Sequence, residues 1–434
     1  MLWDTGNYRY AKNATYDSHF VSKPHKRQIE KMKIAIIDPP SFTPWRNYSL
    51  CSALEKAGYE VTLFTSEFIY DSTLEGLRTK GVKYFFLRLS TKIQTIFPAI
   101  KGSSFVKAIK GAEYCFDLVR LYRYLNKNKY TVAHIEWPVI PPIDLYFIKL
   151  LKKKGIKVSL TIHNLLSSPT YDRQYITKRY MRKIYSEADL LMPLTETTKK
   201  IFIEETGIRG EKIKTVRHGN FDIFRIGRCT GRLQAKKEFG IDPESDLILF
   251  FGLIRYYKGL KYLLKALRIA VSENKRIKLL VAGRIFASEE RLDEYDELKD
   301  LRDHIIIHPR FIPTTEVEKY FVACDIVVMP YIHNLHSGQH HLAYTFGRPV
   351  IATACGDSLE IVQDGKGGFL VPPEDENALA RAIINFFNFD KKKREEMNQY
   401  CRSLSDGNSW EKAARDLIGA YKDFFNNGGT KEYR

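Results

Sequence analysis

Strand-sized apolar runs, each followed by a stretch with helical period, recur in two successive sets along the chain. This alternation constrains the fold more than any other feature. In the first half the runs fall at 33–37, 61–64, 82–87, 132–135, 157–162, 190–193 and 212–216. In the second they fall at 247–251, 277–282, 304–308, 325–329, 349–353 and 368–371, with helical patterns at 375–388, 391–401 and 410–425 after them. Runs that are apolar on nearly every residue suit parallel strands covered on both faces, and the helices between them supply the cover. The prediction is an α/β chain of two Rossmann-like, doubly wound domains facing a central cleft.

The boundaries follow from where the pattern lapses. Residues 1–31 are polar and aromatic without a period and form an extension of unassigned role. A first domain spans 32–217, and 218–231 (HGNFDIFRIGRCTG), aperiodic and with three glycines, reads as a linker. The second domain spans 232–405, and 406–434 holds a last amphipathic helix expected to cross back to the first domain.

Composition narrows the partners. No apolar run reaches the roughly 18 residues of a membrane span. The opening stretch MLWDTGNYRYAKNATYDSHF lacks the charged segment and apolar core of a secretory signal. Six scattered cysteines without a CxxC pair argue for neither a metal site nor a disulfide framework, so a cytoplasmic setting is expected. Residues 1–220 carry 37 Lys+Arg against 20 Asp+Glu, a net of +17, whereas the remainder carries 32 against 31. The basic half should attract a polyanion or an anionic bilayer. Within it, Ile93, Ile96, Phe97, Ile100, Phe105, Val106 and Ile109 interleave with Lys92, Lys101, Lys107 and Lys110. Such a segment either lies on a membrane surface or packs as an ordinary helix on its own domain. No nucleic-acid-binding motif accompanies the charge.

The stretch FFGLIRYYKG, 250–259, is where chemistry is expected first. A buried strand stops at Gly252, and Arg255 and Lys258 follow three residues apart, a fork donor and a point charge suited to two phosphates. In open α/β sheets ligands bind beyond the strand carboxyl ends. Ser337 and Gly338 open a helical pattern whose exposed amides would complement those cations. His163, ending the strand KVSLTI, places an imidazole at the rim of the first domain, as a sugar contact or as a structural histidine. His336 and His340 have i, i+4 spacing, but no third ligand is evident, and no DxD pair stands at a strand end to hold a metal. There is no GxSxG, and the absence of a Walker loop and of GxGxxG after the first strand argues against ATP and hydride chemistry.

Taken together, TIHN at 161–164, the segment at 188–195, HGNF at 218–221, FFGLIRYYKG, PRFIP at 309–313 and MPYIHNLHSGQHHLAYTFGRPVIAT at 329–353 resemble the retaining glycosyltransferases of family four, which have the GT-B fold. The resemblance covers 33–425. It implies transfer of a sugar from a nucleotide-diphosphate donor with retention and without metal or other cofactor. It gives His163 a donor-sugar contact and makes Arg255 and Lys258 the diphosphate ligands. Gly252, Ser337 and Gly338 fall on the phosphate side, Arg310 and Phe311 beside the base, and His218 and Gly219 on the cleft floor. Asp38, Arg46, Glu136 and Trp137 follow first-domain strands, where an acceptor would sit. The family's two glutamates, one toward the sugar and one on the ribose, align with Asn334 and Leu342. Leucine cannot accept from a ribose hydroxyl, so a front-face mechanism that needs no carboxylate nucleophile fits best. The expectation is a glycosyltransferase acting on a glycan or lipid-linked acceptor in cell-surface polysaccharide or glycolipid synthesis, peripheral at the inner membrane face. The rival expectation is a non-catalytic binder of sugar nucleotides.

Overall fold

The computed structural model describes residues 32–71, 81–97, 103–166, 175–229, 231–286, 295, 297–333 and 336–426. The extension 1–31 and Asn334 lie outside them.

The first domain is a six-stranded parallel sheet of β1 (Lys33–Asp38), β2 (Glu60–Thr65), β3 (Val82–Tyr84), β4 (Val132–Ile135), β5 (Lys157–Ile162) and β6 (Leu190–Pro193), in the order β3-β2-β1-β4-β5-β6. The second repeats it with β7 (Asp246–Phe251), β8 (Ile277–Ala282), β9 (Ile305–His308), β10 (Ile326–Met329), β11 (Val350–Thr353) and β12 (Gly368–Val371), ordered β12-β11-β10-β7-β8-β9. In both sheets the chain starts in the middle, winds to one edge, returns and winds to the other. The reversal leaves a crevice at the carboxyl ends of β1 and β4, and again at those of β7 and β10. The strand residues Ile34, Ala35 and Ile36, like Leu247, Ile248 and Leu249, are fully buried, as strands covered on both faces require.

The helix Trp410–Asn426 crosses to the first domain. Its Trp410, Ala414, Leu417 and Tyr421 share one cluster with Ile34, Cys51 and Leu54. The Tyr421 hydroxyl lies 2.8 Å from His134 Nδ1 on β4 and 3.0 Å from Ser159 Oγ on β5. The domains also meet across the cleft, where Trp45 Nε1–H donates to Thr314 Oγ1 at 2.9 Å and Thr314 N–H donates to Asp71 at 2.7 Å.

Two readings of the sequence are corrected. The run 212–216 is not a strand: a 3-10 turn, Gly210–Lys212, leads into it, and it touches β6 through one bridge, Leu191 with Ile213, and two backbone bonds. The run 82–87 pairs only to Tyr84, because Phe85 and Phe86 both turn their N–H groups onto the Thr65 carbonyl and Leu87 takes φ 54°. The linker 218–231 is packed: His218, Asn220 and Phe224 are buried, and Glu318 accepts from the N–H groups of Gly227 and Arg228.

Candidate active site

The first-domain wall of the cleft is a connected set of charges. Glu136, just past β4, is almost wholly buried and paired with the Arg46 guanidinium. It accepts from His163 Nε2 at 2.8 Å and lies 3.2 Å from His134 Nε2. Burial alone would push its carboxyl up, but Arg46 and the hydrogen bonds from both histidines hold it well below the usual range. His163 is pushed down to about 4 by burial, against the pull of Glu136, so the ring is neutral. With Nε2–H donated to Glu136, the lone pair resides on Nδ1. Trp137 stacks on the ring, 4.1 Å between centroids and 8° from parallel. Two N–H donors, Arg46 Nε and Trp137 Nε1, are buried without a partner. Asp38 is fully buried behind this wall, bonded by Asn47 Nδ2 at 2.7 Å, and burial together with nearby Glu136 raises its carboxyl to about 7. Its bonds to the N–H groups of Phe42 and Thr43 fix the loop that starts the helix Pro44–Lys56, so Asp38 supports the wall from behind.

The second-domain wall holds a different balance. Lys258 is buried in the 3-10 turn after β7, donates to the Tyr331 hydroxyl at 2.8 Å and sits 4.2 Å over that ring. No carboxylate lies within 4.0 Å of its ammonium among the described residues. Burial lowers its pKa, Arg255 adds to the effect, and Tyr257 and the more distant carboxylate of Asp357 oppose it. Arg255 lies over the Phe286 ring at 4.6 Å. From Lys258 the chain of hydroxyls runs through Tyr331 to Ser337 Oγ at 3.2 Å, and Asp357 fixes Ser337 by accepting from its N–H at 2.9 Å. Asp357 is also 2.8 Å from His336 Nδ1, while His340 bonds Ser337 O and Ser358 Oγ, so the i, i+4 histidines serve separate partners.

A cavity of about 370 Å³ opens where Trp45 and Tyr70 of the first domain face the second, and its lining includes none of Arg46, Glu136, His163, Arg255, Lys258 and Ser337. Trp45 and Tyr70 from the first domain, Phe221 from the linker and Phe251, Phe311 and Leu342 from the second line its apolar side. Gly252, Gly283, Gly338, Arg284 and Gln339 also line it, and Phe224, Leu253, Ile312 and Val317 extend the apolar side. Gly283 is required there, because a Cβ at its φ of 154° would lie 1.7 Å from the Gly252 carbonyl. The charges of the two walls sense one another: His336 contributes to lowering the His163 pKa. His218, driven well below its ordinary range first by burial and then by His341, also feels Arg46.

His163, Glu136, Arg46 and Trp137 are linked to one another in the first domain, Lys258 and Ser337 are linked through Tyr331 in the second, and Gly252, Gly338, Phe311 and Leu342 line the cavity, which His163, Arg255, Lys258 and Ser337 do not. His218 donates Nδ1–H to the Gly219 carbonyl at 2.6 Å beneath the cleft, and Gly219 is packed so closely on Trp410 that a Cβ would come within 2.4 Å of the indole. Arg310 is exposed and forks onto Glu316 outside the cavity lining. Sequence reasoning missed Trp45, Tyr70, Phe221, Tyr331 and Gln339, which converge over long separations. Gly283 had a visible signal, a second apolar strand ending in glycine, VAG, like FFG at 250–252.

Two doubly wound domains facing one cleft are the architecture of the GT-B glycosyltransferases. The sequence model for Glycosyl transferases group 1 matches residues 245–388, and that for Glycosyltransferase Family 4 matches residues 46–219. The chain belongs to this family of glycosyltransferases. It is 24% identical over 324 residues to an "uncharacterized 41.2 kDa protein in cps region" of Klebsiella pneumoniae, covering 70% of this chain and 81% of that one. It is 28% identical over 253 residues to the D-inositol 3-phosphate glycosyltransferase of Geodermatophilus obscurus, covering 55% and 53%. The match thus spans about half the length of several curated relatives, including an uncharacterized glycosyltransferase of Methanocaldococcus jannaschii at 54%. In fold the chain is similar to a glycosyltransferase from Rickettsia africae, TM-score 0.68 at 16% identity, over 92% of this chain and 99% of that one. It is also similar to Anabaena HepE in complex with UDP and glucose, TM-score 0.66 at 16% identity, over 90% of this chain and 100% of that one.

Proposed function

We infer that the chain is a retaining, metal-independent glycosyltransferase of hexosyl type that takes its sugar from a nucleotide-diphosphate donor. The observation that carries this reading is Lys258, a buried ammonium with a hydroxyl partner and, among the described residues, no carboxylate within ion-pair distance. A buried charge left so is costly unless an anion completes it. It stands one hydroxyl away from Ser337, beside Gly338 in the wall of a cavity rich in aromatic rings. A diphosphate beside a stacked base matches that arrangement, and the complex of Anabaena HepE with UDP is a precedent within the fold.

In this reading Lys258 and Arg255 offset the charge that develops on the leaving diphosphate, the term that dominates such reactions. His163, its tautomer set by Glu136, offers Nδ1 as an acceptor to a sugar hydroxyl, and Trp137 holds the ring plane. The acceptor hydroxyl attacks from the side the diphosphate leaves, and a leaving-phosphate oxygen takes its proton. Retention then needs no carboxylate nucleophile, which suits a cavity wall that presents Leu342.

The acceptor is a glycan or a lipid-linked species in cell-surface polysaccharide or glycolipid synthesis, met by the basic first domain on the inner face of a membrane. No helix among the described residues is long and apolar enough to cross a membrane. Yet Leu89, Ile96, Phe97, Phe105 and Phe116, on or beside the helices Arg88–Ile96 and Ser104–Lys127, are more than half exposed. Apolar side chains among lysines favour an anionic surface. Flotation with anionic liposomes at low salt checks this, and a protein left in the soluble fraction would remove the membrane part.

The reaction itself is tested by incubating the full chain with a panel of nucleotide sugars and acceptors and measuring nucleoside diphosphate release. Turnover abolished in Lys258→Ala supports transfer. Nucleotide binding without turnover across the panel would instead favour a non-catalytic binder.

A further inference from the structure

Resting on the sugar-transfer reading, we propose that Tyr421 and His134 are positioning residues for His163. The crossing helix Trp410–Asn426 fixes that ring through a buried relay that runs from Tyr421 through His134 and Glu136. Alternate residues of a strand share a face, so Ser159 and Thr161 on β5 stand in line with His163 just beyond it. On β4 His134 stands in line with Glu136, whose N–H still bonds the Ile37 carbonyl of β1. Parallel pairing sets His134 beside Ser159. The opposite face of β5, Val158, Leu160 and Ile162, is apolar, as a covered strand requires. The face under the helix is covered as well: Ser159, Thr161, His134 and Glu136 are at most 3% exposed, and all four are polar. Such a stripe costs stability unless every member is bonded.

The bonds have a direction. Tyr421 is fully buried where the helix docks through Trp410, Ala414 and Leu417, a place a phenylalanine ring would fill. Its hydroxyl lies 2.8 Å from His134 Nδ1 and 3.0 Å from Ser159 Oγ, which is itself 2.8 Å from Nδ1. Across the ring, His134 Nε2 faces Thr161 Oγ1 at 2.8 Å and Glu136 Oε1 at 3.2 Å. Glu136 is ionised beside Arg46, and a carboxylate only accepts, so a neutral His134 ring carries its proton on Nε2 and offers Nδ1 to a hydroxyl donor. The phenol is the more acidic of the two hydroxyls there and the better donor, which leaves Ser159 to donate to the phenol oxygen. Glu136 Oε2 then takes the His163 Nε2–H at 2.8 Å. Burial raises the Tyr421 pKa most and the Glu136 charge adds to it, so the helix and the wall sense one another.

The consequence falls on His163. Its Nδ1 is open to a sugar hydroxyl only while Glu136 holds Nε2–H, and Glu136 keeps its place between Arg46 and two histidines. Loss of the His134 bond leaves the carboxylate with one donor fewer, so it binds protons more tightly and pulls harder on the His163 proton. The His163 pKa then rises and the ring loses its fixed orientation. Besides burial and Glu136, that ring senses Arg46 and His336, which remain in place when Tyr421 or His134 is replaced. A segment that follows the second domain in sequence thereby sets a side chain in the wall of the first.

The test is nitrogen NMR of the full chain labelled at histidine, with His163→Gln to assign the His163 signals, beside the kinetics of nucleoside diphosphate release. The wild type should show a pyridine-like Nδ1 and a pyrrole-like Nε2 at His163. His134→Phe should move both resonances, raise the His163 pKa and lower kcat by about 10²-fold with donor KM nearly unchanged. Tyr421→Phe, which removes a single oxygen, should act in the same direction with a kcat loss of about tenfold. His134→Gln, able to donate and accept, should restore the wild-type His163 spectrum. Leu417→Ala loosens the docked helix without touching the stripe, and should lower stability while leaving the His163 spectrum as it is. A Tyr421→Phe protein whose His163 resonances match the wild type overturns the proposal, as does an equal change in Leu417→Ala. The Tyr421→Phe spectrum decides the matter even if His134→Phe fails to fold. Absence of turnover with every donor and acceptor tried would remove the sugar-transfer reading, while the spectra still decide whether the helix sets the ring.

Discussion

The two walls of the cleft are built from the same strand order, yet they balance charge in opposite ways. In the first domain Arg46, Glu136, His134 and His163 complete one another, and what remains over is a pair of N–H donors. In the second, Lys258 keeps a whole positive charge with a tyrosine hydroxyl for company, and Gln339 keeps a bare acceptor. A wall whose charges are already matched is rigid before anything binds and holds a histidine ring in one orientation. A wall that is incomplete carries a stability cost that a ligand removes. The difference separates a positioning surface from a binding surface, although both lie at strand carboxyl ends.

That contrast breaks most visibly at Glu136. Removing one partner of a buried ion pair leaves the other charge stranded, so Glu136→Ala should cost about 3–5 kcal/mol in urea unfolding. Replacing both partners, Arg46→Met with Glu136→Leu, should recover most of that loss. A single-variant loss under about 1 kcal/mol would show that the first wall is not the matched network described.

The next effect is in pH. The folded His163 pKa, about 4, lies below the ordinary value of 6.5, so the unfolded chain binds the extra proton first. Stability present above pH 6.5 is therefore lost as pH falls toward 4, by on the order of 2–3 kcal/mol for this one group. His341, pushed down to about 3 by burial, acts in the same direction. Asp38 and Asp144, both raised to about 7 chiefly by burial, act in the opposite one, losing stability as pH rises from 3.8 through 7. The quantity to measure is thus the difference in unfolding free energy between the wild type and His163→Gln from pH 7 to pH 4. It should narrow as pH falls, and a flat difference would refute the neutral buried ring.

The smallest effect belongs to Arg310. Its exposed pair with Glu316 is worth at most about 1 kcal/mol, and Arg310→Ala should change donor KM by less than about threefold. A much larger rise in KM would place that side chain at the base after all.

The fold was legible because apolar periodicity and helix ends are local signals: alternation read along the chain pointed to two doubly wound domains, though not to the strand order within either sheet. What misled was also local. Residues 212–216 alternate like a strand but find almost no partner beyond β6, and 82–87 stays apolar after its pairing has stopped at Tyr84. As candidates, Gly252 and His163 stood out because each closes an apolar run, and Arg255 and Lys258 because they come soon after one. The side chains that shape the cavity were not. Trp45 and Phe221 meet Leu342 through the packing of separate units, and nothing near any of them in sequence marks the meeting. Nor did sequence distinguish Glu136, at the wall, from Asp38, behind it, since both are acids at strand ends.

The central claim is that Lys258 is an unfinished charge awaiting a diphosphate, and Lys258→Met tests it most directly through paired thermal melts with and without saturating nucleoside diphosphate. The account predicts that the ligand-free variant melts at or above the wild type, being relieved of a buried charge worth about 1–4 kcal/mol, while the rise on adding nucleotide disappears. A ligand-free variant that melts several degrees lower and still responds fully to nucleotide would contradict it.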